Sequence, residues 1–172
     1  MPNDQWATPW PLFNQLDAEF GFTLDPCASA TNAKCARYFT EADNGLARSW
    51  EGERCFVNPP YSNIAPWVEK AWHEAQRGAT VVLLIPPRTE LAYWHDWILG
   101  DGSWLKACAD EVRFVRGRVC FVDPSGQRNS PRDPSVLVVY YSINAIRPLY
   151  GRRPLVSSFV QAKARELVGV GG

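Results

Sequence analysis

The sequence predicts an α/β fold built on a mixed, mostly parallel sheet. Three observations predict it. Helical apolar periodicities alternate with short apolar strands through the first hundred residues. Residues 79–85 form a continuous apolar run, the pattern of a strand buried on both faces. From Glu111 to Tyr141 the chain turns strand-rich, which implies strands of mixed direction. Asp25, Asn58 and Arg88 each follow an apolar run, so such a sheet gathers them at the carboxyl ends of its strands, where open α/β sheets bind ligands.

Taken in order, Thr8 is expected to cap a first helix with Pro9 at its first position. Trp10, Phe13, Leu16 and Phe20 then recur at helical spacing until Gly21 ends the element. Residues 22–26 read as a strand ending in Asp25-Pro26. The small residues Cys27-Ala28-Ser29-Ala30 after it would let a ligand approach the backbone, although an Asp-Pro turn needs no ligand to exist. Residues 32–38 read as a short, weak helix. From Tyr38 the chain passes through a possible strand into a loop carrying Glu41 and Asp43, placed to accept hydrogen bonds from a ligand's hydroxyl or amino groups, or equally to be solvated. Ser62 and Asn63 are expected to cap a helix with a Trp67, Val68, Ala71, Trp72 and Ala75 stripe, ended by Gly78. After the buried strand 79–85, Thr89 is expected to cap a helix carrying Tyr93, Trp94, Trp97 and Ile98. Residues 111–122 read as strand, bend at Gly117, and strand. Residues 123–134 read as a polar loop with Arg128, Asn129, Ser130 and Arg132, and residues 136–141 as the last strand.

The stretch Arg54-Cys55-Phe56-Val57-Asn58-Pro59-Pro60-Tyr61-Ser62 carries the chemistry. An apolar strand feeds a loop stiffened by two prolines, which fix their own backbone angles and donate nothing to a ladder. Such a loop suits a flat base with an exocyclic amino group. The Asn58 side-chain oxygen and the Pro59 carbonyl can each accept one amino hydrogen, and Tyr61 can stack on the ring. The lone pair of an aromatic amine is delocalised into its ring. Two fixed acceptors pull the nitrogen toward tetrahedral geometry and stabilise the positive charge that grows as it attacks an electrophilic methyl group. No strong general base is needed, because the ammonium formed is very acidic.

Composition bounds the rest. At 172 residues and 46% hydrophobic, residues 1–172 are expected to form a single domain, with a core over about 6–142 and a C-terminal extension over 143–172. Net charge is zero, but from Glu111 onward there are ten Lys or Arg against four Asp or Glu. That basic end is a candidate polyanion-facing surface, or simply a solvated one. Five cysteines without a C-x-x-C pair, and only two histidines, point to reduced thiols and no metal site. No apolar stretch approaches a membrane span, and no signal-peptide pattern opens the chain, so a cytoplasmic protein with no membrane partner is expected.

Trp6-x-Thr8-Pro9, Asp25-Pro26-Cys27-Ala28-Ser29, Asn58-Pro59-Pro60-Tyr61-Ser62, Trp94, Gly117-Arg118-x-x-Phe121 and Pro134-Ser135 together resemble the phage-type DNA N6-adenine methyltransferases, the Dam-like family. The resemblance spans residues 6–141, 136 of 172. It implies a class I, Rossmann-like S-adenosylmethionine-dependent methyltransferase fold. The implied reaction moves a methyl group from that donor to the exocyclic amino group of a flipped DNA adenine. Carried over by position, it implies that Asn58, Pro59, Pro60 and Tyr61 hold the base. Trp6, Thr8, Pro9, Asp25, Pro26, Ala28, Glu41, Asp43 and Asn58 would meet the donor. Arg88, Arg116, Arg118, Arg128, Asn129, Ser130 and Arg132 would contact DNA. Asn58 comes only 33 positions after Asp25, so the donor-binding half must be abbreviated, and Ala28-Ser29-Ala30 stands where the family carries glycines. Methylation of RNA or of a protein glutamine, and an inactive nucleic-acid-binding version of the fold, are the rival expectations.

Overall fold

The structure is a computed structural model and describes residues 6–100, 109–123, 126–129 and 133–146. Helix α1 (Trp10–Phe20) leads into β1 (Leu24–Asp25) and β2 (Arg37–Tyr38), then β3 (Arg54–Val57), helix α2 (Ala65–Gln76) and β4 (Thr80–Ile85). After a π-helical turn at Trp94–Leu99 come β5 (Glu111–Phe114), β6 (Phe121–Val122), β7 (Arg128–Asn129), β8 (Val136–Tyr140) and the short α3 (Ile143–Ile146).

Six strands form one sheet in the order β2-β1-β3-β4-β8-β5. The pairs from β2 to β4 are parallel, while β8 lies antiparallel between β4 and β5. This is the mixed, mostly parallel α/β sheet expected from the sequence, with its first half abbreviated: β1 and β2 are two residues each. Strand order reverses between β1 and β3, so Asp25 and Asn58 flank the point where such sheets leave a crevice for ligands.

Both faces of the sheet are covered, which is why its central strands read as unbroken apolar runs. Val81, Leu83 and Ile85 join Trp67, Val68 and Ala71 of α2 in one core layer, whereas Val82 and Leu84 join Leu12, Phe13 and Leu16 of α1 in the other. Trp50, fully buried, stacks on Trp67 at 6.2 Å and donates its indole N–H to the Gly45 carbonyl at 2.9 Å. The carboxylate of Glu74, with no exposed surface, is compensated as buried charges must be. It accepts the Trp50 amide and the Lys70 ammonium, each at 2.7 Å.

Several local expectations are corrected. Helix α1 begins at Trp10, with Pro9 as its N-cap, and Thr8 makes no capping bond. Helix α2 begins after Ile64 with no side-chain cap from Ser62 or Asn63. Residues 32–38 are not helical: Asn32 Oδ1 closes a local turn on the Ser29 amide, Asp25 Oδ2 accepts the Lys34 amide, and the end of the segment is drawn into the sheet. Arg37 and Tyr38 instead pair with β1. The aromatic segment after Thr89 winds as a π-helical turn. The second strand of residues 111–122 pairs with Arg128–Asn129, making a two-stranded ribbon from what reads as loop.

Candidate functional site

Strand β3 delivers Asn58 to the carboxyl edge of the sheet, and the loop after it is held from several sides. Pro59 is buried, and the Asn63 amide closes a turn on the Pro60 carbonyl at 3.0 Å. The Arg88 guanidinium reaches over from the end of β4 and donates to the Tyr61 carbonyl at 3.0 Å and to Asp133 Oδ2 at 3.4 Å. Arg88, expected as a DNA contact, is part-exposed and braces the loop through these bonds.

Asn58 Nδ2 donates to the Trp6 carbonyl at 3.1 Å. A carbonyl can be met only by a donor, so this bond fixes the amide's orientation and aims Oδ1 the other way. That oxygen is buried and has no hydrogen-bond partner, as are the Thr8 and Ser135 hydroxyls, the Tyr61 phenol and the Trp6 indole N–H. An unpaired buried polar atom costs about 1–3 kcal/mol; the Tyr61 and Ser135 hydroxyls lie beside each other, while Asn58 Oδ1, the Thr8 hydroxyl and the Trp6 indole N–H are the three that an outside partner would satisfy. Burial pushes the Tyr61 phenol well above its ordinary pKa, against the pull of the Ser135 hydroxyl beside it.

Asp25 ends β1 and is 5% exposed. Its carboxylate accepts the Lys34 amide at 3.0 Å, yet burial outweighs the Lys34 and Cys27 amide bonds and lifts its pKa from 3.8 to about 6. The next residues tie this loop to its neighbours. The Cys27 thiol meets the backbone amide of Asn58, and its pKa is pushed up by burial and the Asp25 charge. The Ala28 amide, expected to face the donor, is committed to the Phe39 carbonyl at 3.0 Å.

Beside Asp25 opens a cleft of about 470 Å³, walled by Thr8 and Pro9 on one side, Ser29 and Lys34 on another, and Val122 and Arg128 on the third. Exposed Trp10 carries the Lys34 ammonium 4.0 Å above its ring. Desolvation lowers the Lys34 pKa, and the Asp25 charge opposes that change. The N-terminal strap is fastened here: Ala7 and Val122 exchange two backbone hydrogen bonds of 2.8 and 3.0 Å.

Other expected residues lie apart from this cleft. Glu41 is exposed. Asp43 caps its own turn, accepting the Thr40 amide at 2.9 Å and hydroxyl at 2.7 Å, and these bonds hold its carboxyl below the usual range. Arg116 and Arg118 are exposed on the bend around Gly117, and Asn129 lies beside Arg128 on β7. Ser130 and Arg132 lie outside the described residues. Two supports escape sequence reasoning. A Cβ on Gly45 would collide with the Pro26 carbonyl oxygen, so glycine is required where this loop crosses the Asp25-Pro26 turn. Glu74 holds that same loop from α2 through Trp50.

Among the described residues no group of three or more His, Cys, Asp or Glu is placed to hold a metal, and no helix is long and apolar enough to cross a membrane.

The family model described as DNA N-6-adenine-methyltransferase (Dam) matches residues 1–166. The chain is 31% identical over 146 residues to the DNA N-6-adenine-methyltransferase of Haemophilus phage HP1, covering 80% of this chain and 78% of that protein. It is 29% identical over 131 residues to the enzyme of the same name from Escherichia phage T1, covering 69% of this chain and 54%, about half, of the relative.

Proposed function

The chain belongs to the DNA N-6-adenine-methyltransferase (Dam) family, and from that premise we propose that it methylates the exocyclic amino group of adenine in DNA, using S-adenosylmethionine. Asn58 carries this proposal: its Nδ2 is tied to Trp6, and its Oδ1 is a buried acceptor with nothing to accept. An adenine amino group supplies the missing donor hydrogen.

The residues around Asp25 fit S-adenosylmethionine. The cleft's volume falls in the range of small-molecule sites, and the buried Thr8 hydroxyl on its wall lacks a partner. A carboxylate at Asp25 and an ammonium at Lys34 complement the two charges of an amino-acid end. When bound, this group supplies the electrophilic methyl carbon. Asn58 Oδ1 and the Pro59 carbonyl then hold the two amino hydrogens of the base, which must leave the helical stack to reach them. As the nitrogen gains positive charge, these acceptors stabilise it without having to reorganise. Tyr61 offers its ring to the base, braced by Arg88 through its carbonyl. Arg116 and Arg118 offer exposed cations to phosphates, and the substrate DNA places the reaction in the cytoplasm of a bacterial or phage-infected cell.

The test is methyl transfer from labelled S-adenosylmethionine to plasmid DNA, followed by nucleoside analysis. N6-methyladenine in the digest is the expected result. Label in RNA or protein but not in DNA would move the acceptor elsewhere, and failure to bind the donor would leave only a nucleic-acid-binding fold.

A further inference from the structure

We infer that Phe121 is a positioning residue linking the donor cleft to the base-holding loop. The inference rests on the methyltransferase reading of the site. The Phe121 ring is 1% exposed and sits between two aromatic neighbours. It is edge-on to Tyr61, with centroids 6.1 Å apart, and tilted against Trp6 at 6.3 Å. In that reading Tyr61 is the ring offered to the base. Trp6 supplies the carbonyl that fixes the Asn58 amide. One phenyl group therefore touches the supports of both groups on which the chemistry depends.

Its backbone completes the link. Phe121 and Val122 form β6, and Val122 both lines the cleft and holds Ala7 through paired hydrogen bonds. Ala7 is bonded in sequence to Trp6 on one side and to Thr8, a cleft residue, on the other. A donor seated in the cleft would meet Thr8, Val122 and Arg128, and all three connect to Phe121 within one short strap and one two-stranded ribbon. Any shift of the ribbon carries the Phe121 ring with it, and aromatic pairs favour particular edge and offset geometries, so Tyr61 and Trp6 follow. Occupancy of the cleft is thereby communicated to Asn58 and Tyr61, so donor and DNA should bind with positive coupling.

A ring in a core can be mere filling, so the test separates the roles. Phe121→Leu removes the flat edge and keeps most of the apolar volume. Phe20→Leu, in the same core layer but packed on Phe22 and Tyr141, serves as the packing control. For wild type and both variants, single-turnover methyl transfer to unmethylated plasmid DNA is measured. Binding of the unreactive product S-adenosylhomocysteine is measured by calorimetry with and without that DNA. Misplaced reacting groups cost about tenfold to a hundredfold, so Phe121→Leu should lose at least about tenfold in rate. Its affinity for the product without DNA should stay within about threefold of wild type, while the tightening caused by DNA disappears. Phe20→Leu should keep both rate and coupling.

Equal rates in the two variants, or a Phe121→Leu defect confined to product affinity, would overturn the assignment. If Phe121→Leu does not fold, Phe121→Met takes its place, and failure of both to fold marks the ring as core filling and also overturns it. A wild-type protein that transfers no methyl group overturns the functional reading itself, an outcome distinct from a defect in the variants alone.

Discussion

Replacing Asp25 with asparagine should make the protein more stable at neutral pH while weakening its hold on the donor. Burial lifts the Asp25 pKa from 3.8 to about 6, so above pH 6 the folded protein carries a charge that it holds less comfortably than the unfolded chain does. That interval corresponds to about 3 kcal/mol at roughly 1.4 kcal/mol per pH unit. An asparagine amide removes the charge. It keeps one acceptor oxygen for the Lys34 amide and forfeits about 1 kcal/mol of bonding to the Cys27 amide. The net gain is about 2 kcal/mol, or a rise of about 4–8 °C in Tm for a chain of this size.

The pH dependence distinguishes this cause from others. The folded pKa exceeds the unfolded one, so the folded state binds the extra proton between pH 3.8 and about 6. Wild-type stability from this group is therefore full below 3.8 and is lost as pH rises through about 6. Thermal unfolding of wild type and Asp25→Asn, followed by circular dichroism from pH 4 to 8, should show curves that nearly meet at the acid end and separate toward pH 7.5. A Tm difference of the same size at both ends, or a variant less stable at pH 7.5, would refute this account of the buried carboxylate. The same protonation gives wild-type donor affinity a fall as pH drops through about 6, and the variant should lack it.

Three further outcomes are expected. Asn58→Ala removes one acceptor from the developing charge at a cost of about 3 kcal/mol, a rate loss of roughly a hundredfold, while calorimetry should show donor binding intact; wild-type turnover would show that the loop has another role. Gly45→Ala drives a methyl group toward the Pro26 carbonyl, so Tm should fall by the equivalent of about 1–3 kcal/mol and donor affinity should fall with it, because the displaced backbone carries Asp25. Neutralising Arg116 and Arg118 together should weaken DNA binding for all sequences and flatten its salt dependence by about 0.9 in log–log slope for each phosphate no longer neutralised; an unchanged slope would move the DNA surface elsewhere.

The parts of the fold that sequence shows are those set by local rules. Unbroken apolar runs announced β3, β4 and β8, and the Asn58-Pro59-Pro60 step fixed where β3 stops. Asp25 and Asn58 could be placed at one sheet edge because strand ends are legible even when pairing is not. Tertiary competition hid the rest. Residues 32–38 are drawn instead into a local turn and into pairing with β1, a long-range partner that local spacing does not show. The Phe121–Val122 strand found its partner across a turn that composition marks as loop. Glu74 is buried with its charge met by Lys70 one turn before it and by the distant Trp50 amide, a partner that helical spacing does not show. The bracing of Tyr61 by Arg88 spans 27 residues, and the bond from Asn58 to Trp6 spans 52, separations at which no periodicity speaks.

The last strand of the sheet lies inside it. Strand β8 pairs along its whole length with β4 and along most of it with β5, and Ser135 and Asp133 stand just before it. A nascent chain emerging from the ribosome can therefore assemble the parallel half early, but it must wait with the apolar edge of β4 unpaired until Tyr140 has been made. Such an open edge invites pairing with other chains. Long-range strand insertion is also slow. Pairing with other chains therefore competes with completion, and Arg88, which braces the Asn58 loop, lacks its Asp133 partner until that residue has emerged. A fragment cut before Val136 would lack the strand that joins β4 to β5, the last strand among the described residues.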